Sequence, residues 1–247
     1  MPRFFVQEND IVDGIVTLRG DDAHHISRSL RMAAGEHITI CDPRGRQFDC
    51  VLSGFCDVVT ASIVGEIDAR CESPVQIHLF QALVKGDKLD TVIQKAVECG
   101  AADITPFESC RCVVRVKPEA ENERTVRRCR IALEAAKQSG RGTVPKVMPT
   151  VGFDEMLDFA RGHGGLIICY ECETSVSLRQ LLSQMHCEDN IRREICLAVG
   201  PEGGFSPDEI QRATAAGAHT VGLGPRILRT ETAAAFALGC FVYEFEM

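Results

Sequence analysis

Through the first 70 residues, short runs rich in β-branched and aromatic side chains alternate with turns. That pattern predicts strands over Arg3–Val6, Ile15–Arg19, His37–Asp42, Gln47–Leu52 and Val58–Ile67,. Asp42-Pro43-Arg44-Gly45 is a turn joining two of them into a hairpin,. One stretch, Asp22–Met32, carries helical spacing instead and would turn Ile26, Leu30 and Met32 inward,. The expectation is a small β-barrel or curled sheet with one helix, over residues 1–72, ending at Glu72-Ser73-Pro74.

From residue 75 the pattern changes to apolar runs alternating with amphipathic helices, which predicts a mainly parallel sheet in an α/β domain over residues 73–247,. The strands read as Val75–Ala82, Ile104–Phe107, Leu166–Tyr170, Ile195–Val199 and His219–Leu223. The helices read as Lys88–Cys99, Glu123–Ser139, Phe153–Ala160, Leu178–His186, Pro207–Ala216 and Glu231–Tyr243. The helix from Pro207 is well signalled, with Ser206 and Glu209 spaced as a capping box and proline at the first helical position,. Two apolar runs end in Gly-Pro about 24 residues apart, at Gly200-Pro201 and Gly224-Pro225. Each reads as a buried strand released into a loop. Two such loops belong at the carboxyl edge of a parallel sheet, where open α/β folds bind ligands.

Composition changes this picture little. At 247 residues, 45% hydrophobic and 25% charged, the chain has ample core for two domains,. No apolar stretch approaches the roughly 18 to 20 residues that cross a bilayer, and the N-terminus lacks a secretory signal,. A cytoplasmic protein without membrane partners is expected. The 13 cysteines are scattered, and Cys41, Cys169, Cys196 and Cys240 sit in apolar runs as small hydrophobes,. The close pairs Cys110/Cys112 and Cys169/Cys172 do not make the paired spacing of a zinc site, so no metal is expected,.

Charge changes more. The net charge of −8 disfavours a polyanionic partner, but Arg111–Lys146 holds ten Lys/Arg and four acids, a net +6, leaving −14 for the remainder,. A basic belt on an acidic body suits nucleic acid or a solvated helix face. In the belt, Arg111, Arg115, Arg127, Arg128, Lys137 and Arg141 would neutralise phosphates, and Arg3, Arg28 and Arg31 would extend the track. His24 and His25 read as packing residues.

The glycine loops match neither G-x-G-x-x-G nor G-x-x-x-x-G-K-[ST], and Glu202 sits where it would repel a phosphate,. A phosphate-free ligand with an adenosine part fits better, because close approach to a purine and ribose needs residues without side chains.

Ala198-Val-Gly-Pro-Glu-Gly-Gly-Phe-Ser-Pro-Asp-Glu-Ile210 and Leu223-Gly-Pro-Arg-Ile-Leu-Arg-Thr-Glu-Thr-Ala233 resemble the signature of the RsmE family, 16S ribosomal RNA uridine N3-methyltransferases of the SPOUT superfamily. Pro2-Arg3-Phe4-Phe5, His24–Met32, Lys85-Gly-Asp-Lys-Leu-Asp90, Ile93–Gly100, Ile104–Phe107 and Glu134–Arg141 extend the resemblance through most of the chain. It implies a PUA-like β-barrel, then a trefoil-knotted α/β domain binding S-adenosylmethionine, in a homodimer that completes the active sites. The substrate implied is 16S ribosomal RNA, in the assembled small subunit. Carried over by position, Tyr170, Leu197, Val199, Gly200, Pro201, Gly203, Gly204, Leu223, Gly224, Arg226, Leu228 and Thr232 would form the cofactor site. Arg229 would stabilise charge on the uracil, Glu231 would act as base or orient an arginine, and Thr230 would cap the last helix. The alternatives are a SPOUT enzyme for another base or a ribose 2′-hydroxyl, and a catalytically silent RNA-binding or ribosome-assembly factor.

Overall fold

The computed structural model describes residues 1–68, 71–187 and 194–247. Its contacts separate two compact units: Met1–Glu72 with Ala136–Val144, and Ser73–Ala135 with Pro145–Met247.

The first unit is built on β1 (Arg3–Phe5), β2 (Ile11–Val12), β3 (Ile15–Leu18), β4 (His37–Cys41), β5 (Gln47–Phe55) and β6 (Val59–Ile67). They form one sheet in the order β1-β4-β5-β6-β3-β2, with β1 parallel to β4 and the other pairs antiparallel. The hydrogen bonding does not join β2 to β1, so of the two forms expected this is the curled sheet. One core gathers Phe4, Val16, Leu18, Ile38, Ile40, Leu52 and Ala61 from strands across its whole width, and β5 bends at two register shifts against β6,. Each of the larger side chains contributes about 1.5–3 kcal/mol on burial. The helix predicted from Asp22 starts earlier, as α1 (Gly20–His24), and passes directly into a π-helical turn over His25–Ser29. Ile26 is fully buried and Met32 packs against the core, but Leu30 points outward at 40% exposure, contrary to expectation. Leu30 is the residue that caps the π turn, beyond its last helical position.

The second unit contains β7 (Gln76–Ala82), α2 (Lys88–Glu98), β8 (Asp103–Glu108), α3 (Pro118–Ser139), β9 (Lys146–Val147), β10 (Val151–Gly152), α4 (Phe153–Gly162), β11 (Leu166–Cys169), α5 (Leu178–Cys187), β12 (Glu194–Val199), α6 (Pro207–Ala215), β13 (His219–Val221) and α7 (Thr230–Glu246). The last turn of α3, with the segment to Val144, groups with the first unit. All strand pairs in this sheet are parallel, in the order β10-β8-β7-β12-β11-β13, with β9 also on β8. The runs Leu166–Cys169 and Ile195–Val199 are buried at every position, as a parallel sheet covered on both faces requires,. α7 packs on α2 and α5, α4 on β8 and β11, and α6 on β13. The two-residue strands β9 and β10 are too short to leave a periodic signal.

Cys41, Cys169 and Cys196 are buried, while Cys240 is only half-buried. Burial pushes the Cys50, Cys169 and Cys196 thiols up to about 12, so they remain protonated and pack as hydrophobes,. Among the described residues, no helix is long and apolar enough to cross a membrane. None of the His, Cys, Asp and Glu described cluster so as to hold a metal ion.

Candidate functional site

The parallel register brings the carboxyl ends of β11, β12 and β13 to one edge, and three loops meet there around a cleft of about 410 Å³. That is within the range of pockets that enclose small molecules. The loop after β11 contributes Tyr170 and Glu171, the loop after β12 contributes Val199–Glu202 and Gly204, and the loop after β13 contributes Gly222–Glu231.

Close approach explains the glycines. Gly222 N–H donates to Val176 O at 2.8 Å and Leu178 N–H donates to Gly222 O at 3.1 Å, which binds the β13 loop to the β11 loop. A Cβ on Gly222 would lie 2.4 Å from the backbone oxygen of Glu173, a contact no side chain can relieve. Gly204 has φ +66°, in the region glycine favours,. A Cβ on Gly200 would press on the Phe205 ring at 3.0 Å. Glu173 reinforces the junction, accepting from Ser175 Oγ at 2.5 Å and Ser175 N at 2.8 Å, and from Thr220 Oγ1 at 2.8 Å. These bonds, led by that from the Ser175 hydroxyl, pull its carboxyl down to about 2.

The other side of the cleft is tied together by Thr230. Its hydroxyl donates to Gly200 O at 2.7 Å and accepts from Gln81 Nε2 at 2.9 Å, linking α7, the β12 loop and the end of β7. Thr230 is therefore not the cap of α7. Arg229 occupies that position, and Thr230 is the first helical residue. Glu202 binds Lys88 Nζ at 2.8 Å, so α2 supplies the cation that the glycine loop itself lacks. The exclusion of a phosphate ligand then rests on the missing loop patterns rather than on a free acid.

Arg229 is exposed on the rim and has no ion pair or side-chain hydrogen bond among the described residues. Glu231 lines the same cleft, and its Oε2 is buried without a hydrogen-bond partner. Arg226 is also exposed, beside Ile227 at 87% exposure. Of the residues expected to hold a cofactor, Tyr170, Val199, Gly200, Pro201, Gly204, Leu223, Gly224, Arg226 and Leu228 line the cleft. Leu197 does not, being wholly buried two residues back in β12. Gly203 packs against Arg111 instead, and Thr232 is exposed on α7 outside the lining. Lys88, Glu171 and Gly222 are lining residues that motif reading missed. Lys88 could not be found that way, because it comes from a helix 114 residues away from its partner Glu202.

The basic belt is altered more deeply. Arg128 is 4% exposed and pairs with Glu121, and Arg141 is 5% exposed and forked onto Glu72 at 2.6–3.2 Å. Both are structural cations within their own units, buried and paired rather than presented to a phosphate as expected. Arg127 pairs with Asp90, Arg115 with Glu108 and Lys137 with Asp22. Arg3 binds Gln47 Oε1 and Arg141 O, and Arg111 binds Gly203 O. Arg28 and Arg31 are exposed and unpaired among the described residues, as are Lys117, Arg124, Arg130 and Lys146.

Residues 71–242 match the model of an RNA methyltransferase domain, and residues 18–54 match that of an RNA methyltransferase PUA domain. The chain is 32% identical to ribosomal RNA small subunit methyltransferase E of Bacillus subtilis over 251 aligned residues, covering 100% of this chain and 98% of the relative. It is 32% identical to the Synechocystis protein of the same name, over 96% of this chain and 75% of that one. The crystal structure of ribosomal RNA small subunit methyltransferase E from Neisseria gonorrhoeae, bound to S-adenosyl methionine, superposes with a TM-score of 0.85 at 35% identity, covering 98% and 97% of the two chains. A domain match over most of the length, together with this end-to-end identity, shows that the chain belongs to the RNA methyltransferase family that contains the small subunit methyltransferases E.

Proposed function

We propose that the chain binds S-adenosylmethionine in the glycine-lined cleft and methylates N3 of a uridine in 16S ribosomal RNA of the small subunit. The cofactor reading is supported by the cleft's size, its place at the carboxyl edge of the parallel sheet and the absence of a phosphate cradle,. Tyr170, Val199–Pro201, Gly204 and Leu223–Leu228 would hold it. When bound, it would supply an electrophilic methyl group.

The observation that carries the chemistry is an unpaired guanidinium and an unpartnered carboxylate oxygen on the same cleft, at Arg229 and Glu231. Uracil N3 bears a proton at neutral pH and is a nucleophile only without it. Each unit of N3 pKa to be overcome is worth about 1.4 kcal/mol. A charge-assisted hydrogen bond from Arg229 to a uracil oxygen, worth about 1.5–3 kcal/mol, would offset one to two of those units. Glu231 would accept the N3 proton, and the loop between β13 and α7 would hold the ring in line for attack.

We read the chain path as a trefoil knot. The segment after Gly222 is held by Val176 and Leu178 of the preceding loop, then passes to Gly200 and Gln81, where Thr230 is anchored. The tying of these loops to one another supports the reading. An apolar stripe on α7, with Phe236 at 47% and Tyr243 at 71% exposure two turns apart, supports a homodimer,. Arg28, Arg31, Arg124 and Arg130 are exposed cations able to meet RNA phosphates, being unpaired among the described residues.

The test is reconstitution with small subunits from a strain lacking the gene, with mass-spectrometric mapping of the methylated nucleoside and calorimetry of S-adenosylmethionine binding. N3-methyluridine at one position is expected. A different methylated nucleoside would replace the assignment, and failure to bind the cofactor would favour a silent RNA-binding factor. Arg229→Ala is expected to bind the cofactor normally and lose about 10²- to 10³-fold in transfer rate.

A further inference from the structure

The loop after β8, Ser109–Cys112, makes bonds that the proposed chemistry does not use. Its anchor is Glu209 in the first turn of α6, a carboxylate only 3% exposed. Glu209 accepts hydrogen bonds from Cys110 N at 2.8 Å, Ser206 N at 2.9 Å, Ser109 Oγ at 3.2 Å and Cys110 Sγ at 3.2 Å. Within the loop, Cys112 N–H donates to Ser109 O at 3.1 Å, and Ser109 N–H donates to the Cys112 sulfur at 3.3 Å. Both the backbone and the polar side chains of this turn are therefore fixed by a buried anchor. At its tip, Arg111 Nη1 donates to the carbonyl oxygen of Gly203 at 2.9 Å.

The target of that bond is a glycine-rich turn whose internal bond runs from Gly204 N–H to Pro201 O at 2.9 Å. Gly200-Pro-Glu-Gly-Gly204 has three glycines, whose backbone freedom must be restrained by groups elsewhere,. At its far end Phe205 is buried against Phe107 of β8, ring centroids 6.1 Å apart and planes nearly parallel. Glu202 is held by Lys88. Gly203 is held by Arg111, whose side chain also packs on the face where a Cβ would lie 3.5 Å away.

We propose that Arg111 is a positioning residue for the methyl-donor loop, with Glu209 as its anchor. It would set the Gly203 carbonyl before cofactor binding, so that the ordering cost of the loop is met on folding rather than on association. This rests on the reading that the cleft takes S-adenosylmethionine, and it gives Arg111 a positioning role behind the glycine loop in place of an RNA contact.

The test compares wild type with Arg111→Ala, Arg111→Lys and Glu209→Gln. The measurements are calorimetric binding of S-adenosylmethionine, hydrogen exchange of residues 200–205 in the unliganded protein, thermal unfolding, and KM for each substrate. Loss of Arg111 is expected to raise the cofactor Kd and KM roughly 10- to 100-fold. Exchange in the loop should quicken, with kcat at saturating cofactor and the melting temperature near wild type, and lysine should restore part of the affinity. Glu209→Gln should shift affinity and exchange in the same direction, and Arg111→Ala decides alone if that variant fails to fold. Unchanged affinity and exchange in Arg111→Ala, or a rise confined to the KM for RNA, would overturn the assignment. A wild-type protein that does not bind the cofactor would refute the cofactor reading, while loop exchange would still decide whether Arg111 holds the loop.

Discussion

Thr230 shows how much one hydroxyl can organise. It is 6% exposed and joins two backbones and one buried amide, with Gln81 at 0% exposure as its donor. Replacing it with valine keeps the shape but leaves Gly200 O and Gln81 Nε2 each short of a bond, at a cost of about 1–3 kcal/mol. Urea denaturation should show Thr230→Val destabilised by that amount and Thr230→Ser close to wild type. Equal stability of the valine variant would mean that these bonds hold nothing. The partners of Thr230 lie 30 and 149 residues away, so local spacing suggested a helix cap and could not suggest this junction. By contrast, the Ser206–Glu209 box was legible, because both its bonds close within one turn,. Only the fold shows that the same Glu209 also serves a loop 99 residues away.

At the scale of elements, α3 separates structural from available charge. Arg128 turns inward, where burial lowers its pKa against the opposing pull of Glu121, whereas Arg124 and Arg130 lie on exposed surface without partners among the described residues. Arg128→Ala should lose about 1–3 kcal/mol of stability, since it removes the cation facing Glu121 while the hydrogen bonds from Thr125 and Thr150 remain,. Arg124→Glu with Arg130→Glu should leave the melting curve near wild type and weaken RNA binding, with a shallower salt dependence. RNA affinity unchanged in the double variant would remove α3 from the RNA surface. Composition revealed that this segment is basic. Which of its cations are spent on Glu121, Asp90 and Glu108 depends on which acids the fold brings near.

The whole molecule carries opposed pH dependences. In Glu209 and Glu72, burial alone would raise the carboxyl pKa, but hydrogen bonds outweigh it and hold both below the ordinary range. Those bonds come from Ser206 and Cys110 for Glu209, and from Arg141, Gly142 and Thr143 for Glu72. Their stabilisation is present above the unfolded carboxylate pKa, about 4.3, and is lost as pH falls through the depressed native values. His78 has the reverse sign. Its Nδ1 lies 2.7 Å from Asp103 Oδ2, and that bond raises its pKa despite burial. Its contribution is complete below the unfolded histidine pKa, about 6.5, and is lost as pH rises through the native value. Chemical denaturation across pH should show stability declining at both ends, with the alkaline decline flattened in Asp103→Asn. An unaltered decline in that variant would exclude the His78–Asp103 pair as its source.

The amino-acid sequence by itself determined the two-part organisation of strands, the parallel α/β half and the edge at which its glycine loops meet. These follow from local periodicity and turn chemistry, which act over a few residues. It also carried the family resemblance in the runs at Gly200 and Gly224. Tertiary structure alone decided which side chains are free to act. Arg229 and Glu231 stand on the cleft unpaired among the described residues, the buried Arg128 and Arg141 are taken up by Glu121 and Glu72, and Arg111 serves a glycine carbonyl. Burial and pairing are set by residues up to 149 positions distant, and no local pattern records them.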